Sequence, residues 1–156
     1  MFGREALQLI IEGMQGMGKT TLAHSIFREG AIDRFFDVKI WHGVSGTFNI
    51  DLILHEMLES VGSTEATVNS QGAVLENLRE KLTGKRYILV LDDVWDEDEL
   101  NWNNLKSCLS ELGSLGSIVI VTTSRISVAF MTATRRNLVF HLERLSEDEC
   151  LPMMMD

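Results

Sequence analysis

Cysteine is scarce in this sequence: Cys108 and Cys150 are the only two among 156 residues, and neither lies in a C-x-x-C or Cys/His ligand spacing. That argues against a disulfide-stapled scaffold or a zinc ribbon, and two isolated thiols suit a reducing compartment. Long apolar runs are missing as well. The longest, such as those at 87–91 and 118–121, fall far short of the roughly 18 to 20 residues that cross a bilayer, so no membrane span is expected. The first residues, Met1-Phe2-Gly3-Arg4-Glu5, lack the basic start and apolar block of a secretory leader. A cytoplasmic location follows as the expectation. Positive charge is also in short supply, with 14 Lys and Arg against 23 Asp and Glu and a net charge of −9. Such a surface repels phosphate backbones, and no nucleic-acid partner is expected.

What remains is an ordinary globular composition, 45% apolar and 24% charged, enough for one domain with a full core. Residues 7–11 form a mostly apolar run ending in a glycine cluster, as a buried parallel strand does before a turn. Leu22, Ala23, Ile26 and Phe27 then recur at helical spacing over 20–29, with Gly30 as the stop. Residues 38–41 read as a strand. Ile50, Ile53, Leu54, Met57, Leu58 and Val61 mark a helix closed by Gly62, and Val74, Leu75, Leu78 and Leu82 mark another between Ser70 and Gly84. Residues 87–91 are too short and too uniformly apolar for a surface helix, so they form a strand covered on both faces. A further helix carries Leu105, Cys108, Leu109 and Leu112, and strands follow at 117–121 and 138–140.

Strands alternating with helices predict an α/β fold, a five-stranded parallel sheet with helices on both faces, whose ligand binds beyond the carboxyl ends of the strands. Residues 1–145 are expected to form this unit. Ser146-x-x-Glu149 resembles a capping box, with Pro152 in the next turn, and 146–156 is expected to be the truncated start of a following helical segment.

The chemistry concentrates between the first strand and the first helix. Gly13-Met14-Gln15-Gly16-Met17-Gly18-Lys19-Thr20 matches G-x-x-x-x-G-K-[ST] in full. Phosphate oxygens must approach backbone N–H groups there, and side chains at Gly13, Gly16 and Gly18 would obstruct them. The helix N-terminus adds unpaired amides and a positive dipole end. Lys19 would reach the β- and γ-phosphates, and the Thr20 hydroxyl would ligate Mg²⁺. The apolar strand ending in Asp92 would supply the second Mg²⁺ group, a carboxylate at the tip of a strand neighbouring the first, acting through the ion's water shell. Asp93 beside it would polarise an attacking water, its alternative being a helix-capping or solvated acid. Thr122 and Thr123 at a strand end could sense the γ-phosphate through their hydroxyls, and Arg125 through its guanidinium fork. The acids at 96–99 read as a solvated run. Trp41, Trp95 and Trp102 read as packing residues, with base stacking as the alternative.

In order and spacing these segments resemble one family. The Gly13 to Thr21 loop followed by Leu22-Ala23 comes first, then Phe36-Asp37-x-Lys39-Ile40-Trp41-x-x-Val44-Ser45-x-x-Phe48. Leu89-Val90-Leu91-Asp92-Asp93-Val94-Trp95, Gly116-Ser117-x-x-x-x-Val121-Thr122-Thr123 and Leu142-x-x-Leu145-Ser146-Glu147-Asp148-Glu149-Cys150 complete the series. Together they resemble the NB-ARC nucleotide-binding domain of plant disease-resistance proteins. Trp95 is similar to the class with a coiled-coil N-terminus. Gln15 stands where the family commonly has glycine, and Arg125 lies one position later than the family's Thr-Thr-Arg.

The resemblance implies a P-loop NTPase that holds ADP at rest and ATP when active, in a defense receptor. Carried over by position, Gly13, Gly16, Met17, Gly18, Lys19, Thr20, Thr21, Thr123 and Arg125 would bind nucleotide, Thr20 and Asp92 would hold Mg²⁺, and Asp93 would be catalytic. Hydrolysis by the chain alone would be slow or absent. A second reading is a nucleotide-independent fragment that associates with full-length resistance proteins or with itself. A small kinase or GTPase is disfavoured, because the sequence has no N-K-x-D guanine motif.

Overall fold

The computed structural model describes residues 7–14, 16, 18–44, 49–62, 70–95, 98–114, 116–132 and 137–142, with backbone only for Leu7, Asn137 and Leu138. Five strands form one parallel sheet: β1 (Leu7–Gly13), β2 (Val38–Gly43), β3 (Tyr87–Asp92), β4 (Ile118–Thr123) and β5 (Asn137–Leu142). Their spatial order is β2-β3-β4-β1-β5. The helices are α1 (Lys19–Phe27), α2 (Gly30–Phe35), α3 (Ile50–Ser60), α4 (Gln71–Lys81), α5 (Glu99–Leu109) and α6 (Ile126–Thr132).

Alternation along each strand sends side chains to opposite faces, and the two faces have separate cores. One joins Ile10, Ile40, Leu89, Leu91, Val119 and Val121 to α3, α4, α5 and α6 through Ile53, Met57, Leu78, Trp102, Leu105 and Val128. The other joins Ile11, Ile88, Val90 and Ile120 to Ala23 of α1, with Ile32 of α2 packed against it. Tyr87 to Leu91 are wholly buried, as a strand covered on both faces must be. Gly62 and Gly84 lie at φ 82° and 73°, the left-handed conformation that ends the helices before them, as the sequence predicts.

Three features depart from expectation. Gly30 does not stop α1, which ends at Phe27; the Arg28 amide donates back to His24 O, and Gly30 instead opens α2 after an extended Glu29. A second unpredicted helix, α6, follows β4 and buries Val128, Ala129 and Thr132. The strand carrying Asp92 is not the neighbour of β1, because β4 lies between them. The predicted helical start at 146–156 and Cys150 lie outside the described residues.

Candidate functional site

The first three amides of α1 have no intrahelical acceptor, and at this helix no side chain caps them. Asn49, Ser70 and Asp98 cap α3, α4 and α5 through their side-chain oxygens. At α1 the cap is Gly18, at φ 85° and ψ 22°. Gly16 shares that φ, and a Cβ on either residue would meet nothing within 4 Å. Their glycines answer a left-handed backbone that other residues adopt at a cost of about 1–2 kcal/mol, and the space beside them is open to a ligand. Gly13 has a different reason. A Cβ there would sit 2.9 Å from Leu142 O, so this glycine permits close pairing of β1 with β5.

The open space is a cavity of about 400 Å³ lined by Gly16, Gly18, Lys19, Thr20, Thr21, Asp92, Asp93 and Thr122. The Lys19 chain is buried, and its Nζ donates to Met14 O at 2.9 Å, folding the ammonium back over the loop. An ammonium has three N–H donors, so others remain for an anion. The Thr20 hydroxyl donates to both oxygens of Asp92, at 3.0 and 3.1 Å. A hydroxyl and a carboxylate are hard oxygen donors, and their convergence fits the donor set that Mg²⁺ prefers.

Thr122, at the end of the intervening strand β4, is fully buried and ties the acids together. Its Oγ1 donates to Asp92 Oδ1 at 2.6 Å and accepts the Asp93 amide at 2.7 Å. Asp93 sits at φ 63°, the only left-handed non-glycine among the described residues. Such a conformation costs of order 1–3 kcal/mol and persists where surrounding bonds over-determine it. Here those bonds are the Thr122 hydroxyl on its amide and the Trp95 indole, whose Nε1 donates to Asp93 Oδ1 at 2.7 Å.

The structure therefore gathers Gly16, Gly18, Lys19, Thr20, Thr21, Asp92 and Asp93 around one cavity. It does not bring Gly13 or Thr123 to its lining. Thr123 is buried with its hydroxyl donating to Val94 O and accepting the Arg125 amide, so its side chain is committed to the turn after β3. Arg125 is exposed, with its guanidinium 4.9 Å from the centre of the Trp95 ring. Met17 lies outside the described residues, as do Asp96 and Glu97 of the acidic run. Asp98 of that run caps α5 by accepting the amides of Leu100 and Asn101.

Of the tryptophans, Trp102 is buried in the core as a packing residue, and Trp41 stacks on His24 with ring centres 3.9 Å apart. Trp95 is the one with a polar link to the site, a role its sequence position beside two aspartates hints at without specifying. Thr122's bridging role was equally hidden, since a hydroxyl at a strand end reads alike whether it meets a ligand or a neighbouring acid. Among the described residues no helix is long and apolar enough to cross a membrane.

Comparison with known proteins gives one consistent answer. A family profile described as the NB-ARC domain matches residues 3–156. The chain is 37% identical over 148 residues to the disease resistance protein RGA2 of Solanum bulbocastanum, covering 94% of this chain and 15% of that protein. It is 36% identical over 145 residues to the disease resistance RPP13-like protein 4 of Arabidopsis thaliana, covering 92% of this chain and 16% of that one. Among solved structures it is similar to Drosophila ORC bound to DNA, with TM-score 0.65, 18% identity, and coverage of 94% of this chain and 40% of that one. It is also similar to Cdc6p from Pyrobaculum aerophilum, with TM-score 0.64, 16% identity, and coverage of 95% and 42%. At these identities the structural likeness speaks for the fold, a P-loop NTPase sheet with helices.

Proposed function

Because the chain belongs to the NB-ARC domain family of plant disease resistance proteins, we propose that it is their nucleotide-binding switch subdomain, holding Mg·ADP at rest and Mg·ATP when active, in the cytoplasm. The chain spans about 15% of the length of the relatives it matches, so the receptor function in defense belongs to the longer protein in this reading. The observation that carries it is the convergence of Lys19, Thr20, Asp92 and Thr122 on one cavity beneath an uncapped helix N-terminus. Phosphates would lie against the Gly16, Gly18 and α1 amides, with Lys19 leaving Met14 O to meet them. Thr20 and Asp92 would hold Mg²⁺, which supplies neutralising charge to the phosphate oxygens. Asp93 would orient the water for hydrolysis, which is slow or absent in this chain alone. Adenine as the base rests on family membership.

Isothermal titration with Mg·ADP and Mg·ATP tests the proposal, using Lys19→Ala as the control. The parent chain binds, and the variant retains its circular dichroism and melting temperature while its affinity falls at least tenfold. Equal affinities for parent and variant would sink the nucleotide reading. A second reading, docking onto full-length resistance proteins or self-association, is favoured by the exposed Ile126 and Phe130 of α6 and Val139 of β5.

A further inference from the structure

Asp93 is exposed, and an exposed carboxylate on a short side chain samples its staggered rotamers unless something holds it. Here the Trp95 indole holds one oxygen, Oδ1, at 2.7 Å, and Oδ2 has no hydrogen-bond partner among the described residues. An indole N–H is a donor only, so it cannot take a proton from water or compete for a cation. It can only aim the carboxylate. The opposite resource of the same side chain, its π face, carries the Arg125 guanidinium at 4.9 Å, within the range where a cation is attracted to the ring. The turn that bears Asp93 and Trp95 is bolted to β4. Val94 N donates to Thr122 O, and Thr123 Oγ1 donates to Val94 O while accepting the Arg125 amide.

We propose that Trp95 is the positioning residue for Asp93 at the γ-phosphate end of the site: its N–H aims the carboxylate, and its ring, with the Arg125 guanidinium against it, is packed in place to do so. This rests on the nucleotide reading above. Trp95 touches neither phosphate nor water itself. Its loss leaves the phosphate cradle of Gly16, Gly18 and Lys19 intact while the Asp93 carboxylate loses the donor that aims it. Misplacing a reacting group by about 1 Å costs up to about 100-fold in rate.

The test uses the whole chain and three variants. Trp95→Phe keeps a ring face and removes the N–H, Trp95→Leu removes both, and Asp93→Ala removes the acceptor. In ¹⁵N-labelled protein the indole resonance that vanishes in Trp95→Phe is expected to shift in Asp93→Ala, while those of Trp41 and Trp102 stay in place. That readout needs no nucleotide. With nucleotide, Trp95→Phe is expected to bind Mg·ADP within about twofold of the parent while single-turnover ATP hydrolysis falls at least tenfold, and Trp95→Leu falls further.

An indole resonance indifferent to Asp93→Ala would overturn the proposal. So would a Trp95→Phe chain that hydrolyses ATP at the parent's rate, or one that loses ADP affinity and turnover in equal proportion. A parent that binds Mg·ATP but never turns it over overturns the positioning role and leaves the binding reading standing. A parent that binds no nucleotide overturns both.

Discussion

Tyr87 shows how much one side chain can carry. It is the only tyrosine in the chain, it is fully buried at the start of β3, and its hydroxyl has no hydrogen-bond partner among the described residues. Burial pushes its pKa well above the ordinary value of about 10. The folded chain therefore keeps its proton where the unfolded chain loses it, and stability falls as pH rises above about 10. Because no other tyrosine contributes, phenolate absorbance near 295 nm reports Tyr87 alone. It is expected to appear in one cooperative step together with loss of the far-ultraviolet dichroism, and a simple titration near pH 10 with the fold intact would contradict the burial. Gly113 is part of the same arrangement: at φ 75°, a Cβ would come within 2.8 Å of the Tyr87 ring. Cys108 is held in a milder form of this environment, its thiol raised by burial and by the charges of Glu111 and Asp51, against the lowering hydrogen bond from Gln71.

Among the elements, legibility followed length. Strands of uniform apolar residues and helices of eleven residues closed by left-handed glycines announced themselves. The six residues of α2 and seven of α6 span under two turns, too few for a 3.6-residue period to show. The cavity-lining glycine loop was legible because the G-x-x-x-x-G-K-[ST] pattern has fixed residue types at fixed spacing. The roles of Gly13, Thr122 and Trp95 were not, because they depend on which strand lies beside which, and a run such as residues 118–123 does not encode its neighbours. Helix caps lie between these cases. Asp98 caps α5 through two amides, and Asp98→Ala is expected to lower stability by about 1 kcal/mol in urea unfolding without changing nucleotide affinity. A loss of affinity as large as that of Lys19→Ala would show that α5 reports to the site.

At the scale of the whole molecule the apolar surface is uneven. Val139 pairs in register with Ile10, so it faces the side of the sheet that carries α6, where Ile126 and Phe130 are also exposed. Phe130→Ser combined with Val139→Thr should leave the unfolding free energy within about 0.5 kcal/mol, as exposed substitutions do. If this side of the molecule drives association, the same pair will lower the sedimentation-velocity weight at high concentration. A monomeric parent would remove self-association from the second reading.

The strand order has a further consequence. β1, which launches the phosphate loop, lies between β4 and β5, pairing Leu9 with Ile120 and with Leu138. During synthesis β1 leaves the ribosome before the other four strands of this sheet, and it waits with both edges bare until nearly all of the described residues have followed it. Unpaired apolar strands are the aggregation-prone part of a folding chain. Nascent copies of this protein therefore pass through a long interval in which β1 is open to the wrong partner, and chaperone dependence during translation should exceed that of the finished fold.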